Sequence, residues 1–370
     1  VGATAWFHCA SLGEFEQGRP LIEAFRKAHP DWNIVLTFFS PSGYEIRKNF
    51  PGADQVLYLP LDTRKNARRF VSMVNPSIVV FVKYEFWFRY LDTLYHKKIP
   101  TYIISANFRP DHHFFQWYGT WGLKQLRKVT RFFVQNDSSA ELLRAKGIEQ
   151  VTVSGDTRFD RVAAVVSNPG SFPLVEKFAG HLPVFLAGST WPADEEILLK
   201  MMEKLGDRMK FIIAPHEVGR ERVGSLQLAV GSGLLFSQLT EENASSARIL
   251  IIDGIGYLSH LYQYATIAYI GGGFGAGIHN ILEAAAFGKP VIFGPKYRKF
   301  REAVDLIHLG GAFLIETTEQ LNNITIGLLD NQNSYDKASV TCRNYVADRS
   351  GATKVIMQSL VGSHESIEEE

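Results

Sequence analysis

The residues with the most chemistry in the least space lie at 271–283, Gly-Gly-Gly-Phe-Gly-Ala-Gly-Ile-His-Asn-Ile-Leu-Glu. Five glycines follow a strand-like apolar run and precede a helical pattern. Without a Cβ, such a turn lets backbone approach a ligand closely, and turn-making alone would not need so many glycines. Asn280 and Glu283 are three apart and share a helix face. Glu283 can accept from ribose hydroxyls, as acidic residues do in other nucleotide-binding sheets. The spacing is not Gly-x-Gly-x-x-Gly, and Gly-x-x-x-x-Gly-Lys is absent, which argues against a dinucleotide fingerprint or a P-loop.

Four further stretches carry chemistry, each with a plainer reading. Ser11-Leu12-Gly13-Glu14 follows the first apolar run; Glu14 is either a general base or a carboxylate favoured by a helix dipole. Gly188-Ser189-Thr190-Trp191 precedes Asp194 and Glu195, as a phosphate-binding turn or as an N-cap by Ser189 or Thr190. In Ala214-Pro215-His216-Glu217, His216 contacts a nucleotide or is merely solvated. Residues 97–131 hold Lys97, Lys98, Arg109, Lys124, Arg127, Lys128 and Arg131 against a single acid, Asp111, with Phe108, Phe114, Phe115, Trp117, Tyr118 and Trp121 among them. That pattern suits an anionic lipid surface, or a half-buried helix pair with a solvated basic face. Aromatics beside cations also suit RNA, but no RNA-binding motif is present, so no nucleic-acid partner is expected.

No metal is expected to be held: there is no His/Cys cluster, no Asp-x-Asp and no Gly-x-Ser-x-Gly elbow. The two cysteines, Cys9 and Cys342, are far apart in sequence, which fits a reduced, cytoplasmic compartment.

The elements that must position these residues read as strands over 4–10, 33–39, 55–59, 77–82, 101–105, 131–134 and 151–154, with helices between them at 15–29, 63–74 and 138–146. Asp62 and Ser138 stand where the second and third of these helices begin, and Gly147 where the third ends. A Pro/Gly-rich stretch at 167–183 reads as a linker. Strands then resume at 184–187, 210–214, 249–252, 267–270, 291–293 and 312–315, with helices at 193–205, 281–287, 300–309 and 318–329. Repeated β-then-α order predicts parallel sheets with right-handed crossovers, hence two Rossmann-like domains facing across a cleft, with ligands at the carboxyl ends of the strands. The expected division is 1–166, a linker at 167–183, 184–348, a last helix within 349–362 and a frayed acidic tail at 363–370.

At 370 residues, with 46% hydrophobic and 21% charged residues, the chain is an ordinary globular protein, not a disordered or collagenous one. The net charge of +1 conceals an asymmetry: residues 1–165 carry 22 Lys and Arg against 15 Asp and Glu, and residues 166–370 carry 17 against 23. A basic front and an acidic back suggest modules with different ligands. The longest uncharged run, between Asp253 and Glu283, is broken by seven glycines and does not make a spanning helix of about 20 apolar residues.

Taken together, Ser11 to Glu14, Gly188 to Thr190, Pro215-His216, and Asn280 to Glu283 followed by Ala-Ala-Ala-Phe-Gly-Lys-Pro-Val resemble the 3-deoxy-D-manno-octulosonic acid (Kdo) transferases from about residue 4 to 360. The resemblance implies a GT-B fold whose last helix crosses back to the first domain. It implies inverting, metal-independent transfer of Kdo from CMP-Kdo to a lipid A precursor, with no cofactor. By motif, Glu14 is the catalytic base, and Glu85, in Glu85-Phe86-Trp87, and Arg158, in Gly155-Asp156-Thr157-Arg158-Phe159-Asp160, support the transition state. CMP contacts fall on Ser189, Pro215, His216, Ile255, Gly256, Tyr257, Asn280 and Glu283. Arg109, Trp117, Trp121, Lys124, Arg127 and Lys128 meet the acceptor and membrane. The expected place is the cytoplasmic face of the inner membrane, anchored by an N-terminal segment outside this chain. The sequence departs from the family pattern in having His216 where Arg is usual, Arg158 for Lys and Ile281 for Pro. The alternatives are another GT-B enzyme using a UDP- or CMP-sugar, or a non-catalytic lipid-binding protein on the same fold.

Overall fold

Apolar runs and amphipathic stretches alternate along the chain as β1 (Thr4–His8), α1 (Leu12–Ala28), β2 (Asn33–Phe38), α2 (Pro41–Arg47), β3 (Gln55–Tyr58), α3 (Arg64–Val74), β4 (Ile78–Val82), α4 (Phe88–His96), β5 (Thr101–Ala106), α5 (Thr120–Leu126), β6 (Arg131–Val134), α6 (Asp137–Arg144), β7 (Val151–Val153) and α7 (Thr157–Ser167). There follow α8 (Pro173–Ala179), β8 (Val184–Thr190), α9 (Pro192–Leu205), β9 (Lys210–Pro215), α10 (Arg220–Val230), β10 (Leu234–Leu235), β11 (Ile249–Ile251), α11 (Leu258–Leu261) and β12 (Ile267–Ile270). The last elements are α12 (Leu282–Ala286), β13 (Val291–Phe293), α13 (Arg301–Leu309), β14 (Ala312–Leu314), α14 (Thr318–Asp330), α15 (Gln332–Ala347) and α16 (Ala352–Glu365). The structure is a computed structural model, and it describes residues 2–83, 86–116, 119–231 and 233–365.

Two units result: Val1–Arg161 with Arg349–Glu370, and Val162–Asp348. The first contains a parallel sheet of order β3-β2-β1-β4-β5-β6-β7, and the second one of order β10-β11-β9-β8-β12-β13-β14. Both are α/β sheets of the Rossmann kind. The central strands of unit 1 are buried along most of their length, and β4, reading Ile-Val-Val-Phe-Val, is apolar throughout and wholly buried, because helices cover both faces. Successive side chains alternate between those faces. Trp6 packs on Phe70 of α3 and Tyr90 of α4, while its neighbour Phe7 packs on Phe25 of α1. Ile356 and Leu360 of α16 join the Phe7 side, so the last helix belongs to unit 1 and lies against α1.

In each sheet the strand order reverses beside the unit's first strand, at β1/β4 and at β8/β12. Loops leaving two such neighbouring strands in opposite directions open a crevice at their carboxyl ends, where ligands bind in this architecture. Ser11 to Glu14 follow β1, Trp191 follows β8, and the glycine-rich run follows β12.

Several local expectations are corrected. Asp62 does not cap α3; Thr63 does, its Oγ1 accepting from Asn66 N–H at 3.2 Å. Asp62 instead accepts from the backbone N–H groups of Arg89 and Tyr90 at 3.0–3.2 Å, serving the N-terminus of α4, a contact 27 residues away that no local pattern reveals. Asn136, not Ser138, caps α6 by accepting from Ser139 N–H at 2.9 Å. Ala145 is its C-cap, and Gly147, at φ +71°, lies two residues beyond. The stretch 167–183 is more than a linker: it contains α8, whose Val175 and Phe178 are buried, and the change of unit falls inside α7. Helices α10 and α15 were not expected, because their Gly224 and their many Ser, Thr, Asn and Val residues weaken the helical signal.

Candidate active site

In unit 1 the turn after β1 carries Glu14. Ser11 takes the N-cap position of α1 with extended backbone, but its hydroxyl makes no cap; it donates to the Glu14 carboxylate. Glu14 is partly buried in the first turn of α1. Gly13 is not demanded by the turn: a Cβ there would meet nothing nearer than Ser11 Oγ at 3.7 Å. The glycine therefore leaves open space directly beside the carboxylate.

One turn along α1, buried Gln17 connects this carboxylate's helix to the second motif. Its Nε2 donates to Asp156 Oδ1 at 3.5 Å, and its backbone carbonyl accepts from Thr157 Oγ1 at 2.5 Å. Asp156 is itself buried and holds Arg158 twice, accepting from the backbone N–H at 2.9 Å and from Nε at 2.8 Å. A guanidinium held in this fixed way keeps its orientation without losing its charge. The second acid of the motif, Asp160, accepts from Gly351 N–H, Thr353 N–H and Thr353 Oγ1 at 2.5–2.8 Å, tying down the start of α16. The motif Gly155 to Asp160 thus orients a cation and anchors the last helix together, a double task that one-dimensional reading missed. Glu85 lies outside the described residues.

In unit 2 the crevice is built from backbone contacts. A Cβ on Gly188 would lie 2.1 Å from the Tyr262 hydroxyl, and one on Gly271 would lie 2.2 Å from the Ser189 carbonyl oxygen. A Cβ on Gly273 would meet Gly294 backbone at 2.6 Å. Four of the five glycines expected to approach a ligand are therefore required first by the fold itself, Gly271 and Gly273 by neighbouring backbone and Gly272 at φ +92° and Gly277 at φ +135° by their own conformation. Neither Ser189 nor Thr190 is an N-cap. Ser189 sits at φ +54° within a shift of strand register, Thr190 Oγ1 donates to Glu195 at 2.7 Å, and Trp191 occupies the cap position of α9. Both Asp194 oxygens are engaged: they accept from Trp191 N–H at 2.9 Å, Gly272 N–H at 2.8 Å and Tyr269 OH at 2.7 Å. The acids that head α9 serve the fold and bind the glycine turn to the helix.

Pro215 ends β9 in the interior, and exposed His216 follows it. The His216 ring stacks on Trp191 with centroids 4.7 Å apart and on His279 at 4.4 Å, and Trp191 Nε1 donates to His279 Nε2 at 3.0 Å. Burial, with the His216 ring as second cause, holds His279 below the usual imidazole range, and Asp194 opposes the shift. Asn280 Nδ2 donates to Glu283 Oε1 at 3.1 Å, while its Oδ1 accepts from Leu282 N–H at 3.1 Å. The helix that follows, α12, has only five residues, so Asn280 and Glu283 act through their side chains and not through a long helix dipole. Tyr262 lies beneath, and burial with Glu283 nearby pushes its hydroxyl far above the usual phenol range. Ile255, 85% exposed, Gly256 at φ +90° and half-exposed Tyr257 follow β11 at the same edge of the sheet. Ser189, Pro215, His216, Ile255, Gly256, Tyr257, Asn280 and Glu283 thus share the carboxyl edge of the unit 2 sheet.

The basic aromatic stretch divides. Phe108, Phe114 and Phe115 are core residues, so their assignment to a lipid surface is overturned. Trp121 is 51% exposed, edge-on to Phe88, with the Arg89 guanidinium 5.8 Å over its ring. Lys124 is exposed, Arg127 donates to the Lys146 carbonyl at 3.0 Å, Lys128 pairs with Asp92, and Arg109 pairs with Asp111 at 3.3 Å. Trp117 lies outside the described residues, and α5 begins only at Thr120. Sequence reading expected α3 but passed over its cations: beside α4 it exposes Arg64 and Lys65 in its first turn, the wrong end of a helix for cations, and Arg68 and Arg69 one turn on. None of these four has an ion-pair partner among the described residues. The signal was available as four cations in six residues. Among the described residues no group of three or more His, Cys, Asp or Glu could hold a metal ion, and no helix is long and apolar enough to cross a membrane.

Two parallel sheets in succession, each with its residues of interest at the switch point, define the GT-B class. The structure is similar to UDP-GlcNAc 2-epimerase from Neisseria meningitidis, with a TM-score of 0.67 at 16% identity over 98% of this chain and 100% of that one. Residues 2–161 match the family model described as 3-deoxy-D-manno-octulosonic-acid transferase (kdotransferase). The chain is 27% identical over 341 residues to the 3-deoxy-D-manno-octulosonic acid transferase of Chlamydophila psittaci, covering 89% of this chain and 78% of that protein. It is 28% identical over 345 residues to the enzyme of the same name from Rickettsia felis, covering 90% and 72%. Over its first 161 residues the chain matches the Kdo transferase model, and over about nine tenths of its length it is similar to named Kdo transferases, which are glycosyltransferases.

Proposed function

We propose that the protein transfers Kdo from CMP-Kdo to a lipid A precursor, with inversion and without a metal. The carrying observation is Glu14, a carboxylate at the switch point of the unit that matches the family model, beside an unobstructed glycine and on the helix that bears Gln17, the link to the Asp156–Arg158 clamp. Glu14 takes the proton from the acceptor hydroxyl. The oxygen then bonds to the anomeric carbon of Kdo while the bond from that carbon to the CMP phosphate oxygen breaks. Arg158 offsets negative charge on the sugar carboxylate or the departing phosphate. Unit 2 holds the nucleotide, with Glu283 on the ribose and Asn280 and Ser189 toward the phosphate.

The exposed Trp121 with Arg89, the exposed Lys124 and the four unpaired cations of α3 support an anionic acceptor presented at the cytoplasmic face of the inner membrane. The test is transfer of labelled Kdo from CMP-Kdo to the precursor in EDTA. Product of inverted anomeric configuration is expected; activity that vanishes in EDTA and returns with magnesium overturns the metal-free reading. Thermal shifts with CMP, UMP and ADP test the donor. Stabilisation by UMP in place of CMP points to a UDP-sugar enzyme, and no nucleotide effect points to a lipid-binding protein.

A further inference from the structure

The stack of Trp191, His216 and His279 is not explained by transfer chemistry alone. An indole N–H can only donate. Since Trp191 Nε1 lies 3.0 Å from His279 Nε2, that nitrogen must offer its lone pair, and the ring proton of His279 sits on Nδ1. A second proton, on Nε2, would set N–H against N–H and break this bond. His216 lies 4.4 Å from His279, nearly parallel at 22°, and its ring nitrogens make no hydrogen bond among the described residues. Its backbone N–H donates to the Thr190 carbonyl at 2.9 Å, which fixes it at the mouth of the turn. Two stacked imidazoles so close do not both carry charge without mutual repulsion.

We propose that this pair is a proton-coupled anion receptor. Binding of the donor's phosphate places one proton on the pair, and Trp191 confines it to His216. The proposal rests on the reading of unit 2 as the donor site. The other charged groups on the packed elements are already engaged or permanent. Both Asp194 oxygens are engaged, Glu195 is paired with Arg222, and Glu283 is held by Asn280. Lys296 Nζ donates to the Gly275 carbonyl at 2.6 Å, and Glu217 and Arg220 are exposed after β9. His216 is therefore the imidazole of this stack whose ring nitrogens are left open among the described residues, and imidazole is the side-chain type suited to taking up a proton with an anion. Donor affinity then carries a pH dependence that an arginine in the same place would not show.

The experiment is calorimetric titration of the full chain with CMP between pH 6 and 8, in buffers of different ionisation enthalpy, which counts the protons taken up. The CMP phosphate titrates near pH 6 itself, so wild type is compared with His216→Arg and His216→Gln using the same ligand. Expected is a proton uptake in wild type that both variants lack. Wild-type affinity should fall with rising pH by up to about tenfold per unit relative to His216→Arg. Trp191→Phe frees His279 Nε2 and should move the pH profile without altering the melting temperature of a folded variant. Equal proton counts and parallel pH slopes in wild type and His216→Arg overturn the proposal while leaving the donor site intact. Absence of CMP binding at every pH overturns the donor reading, and the proposal with it.

Discussion

The two sheet edges share a topology and differ in what they are made of. At the unit 1 edge the groups of interest are charged side chains: Glu14, which accepts a hydrogen bond from Ser11, and Arg158, which donates to Asp156. Its glycine, Gly13, has no steric necessity. At the unit 2 edge the groups of interest are backbone turns and aromatic rings. The glycines there are required by contacts as short as 2.1 Å, and the acids of α9 are used up in holding the turn. The difference teaches that one switch point can be organised for charge and proton transfer, and another for close approach to a ligand, on the same strand order. Side-chain chemistry needs freedom around a few atoms; backbone recognition needs rigidity over many.

Substitutions can break or sharpen this contrast. The largest expected effect is on turnover: Glu14→Gln should lower it by about 10²–10⁴-fold, the usual worth of a general base. CMP affinity should be unchanged, because the mutation touches only the unit 1 edge. Steady-state transfer assays paired with CMP titration check this, and a near-normal rate removes Glu14 from the base role.

Glycine substitutions invert the contrast. Gly271→Ala places a methyl against the Ser189 backbone and should cost about 1–3 kcal/mol or more of stability. Gly13→Ala, in a helix with free space, should be neutral or stabilising by up to about 1 kcal/mol. Denaturant unfolding measures both. If Gly13→Ala is stable yet slows transfer, the empty space beside Glu14 is for substrate.

Glu283→Ala should weaken CMP binding by about tenfold, the value of one charge-assisted hydrogen bond. It should leave binding of acceptor vesicles intact, and an unchanged CMP titration would place the ribose elsewhere. The smallest step concerns the basic face. Arg68→Ala/Arg69→Ala should weaken flotation with anionic liposomes by about 1 kcal/mol per cation, an effect that salt erases. If Lys124→Ala matters and this pair does not, the acceptor-facing surface is α5 and not α3.

Acid also separates the units. Because His279 is held below the usual imidazole range in the folded state, its unfolded form binds a proton first. Its contribution to stability is intact above the unfolded value near 6.5 and is lost as pH falls below that value toward the folded one. Melting between pH 7.5 and 5.5 should show this loss in wild type and a smaller one in His279→Gln.

Most strands were legible in the sequence because the sheet centres are covered on both faces, which makes strands such as β4, β9 and β12 short apolar runs with clear ends, whereas the two-residue β10 left no such run and was missed. The glycine-rich turn and Ser11 to Glu14 were legible because they sit immediately after such runs. Asp62 was misplaced because its partners, Arg89 and Tyr90, come from a helix brought near by β4. The aromatics Phe108, Phe114 and Phe115 were misread because an aromatic beside a cation looks the same in sequence whether it faces a lipid or a core. The cations of α3 were passed over because a helical pattern absorbed them as an ordinary solvated face.

The sequence alone determined the parallel α/β order, the two switch-point motifs and the resemblance to the Kdo transferases, since these depend on residue type and local spacing. Only the tertiary structure decided that Asp156 clamps Arg158, that Asp160 anchors α16, that four glycines of the turn are fixed by the fold itself, and that His216, His279 and Trp191 form a stack. Each of these joins residues far apart in the chain or serves two partners together. Such contacts depend on distances that folding sets, and no local propensity encodes them.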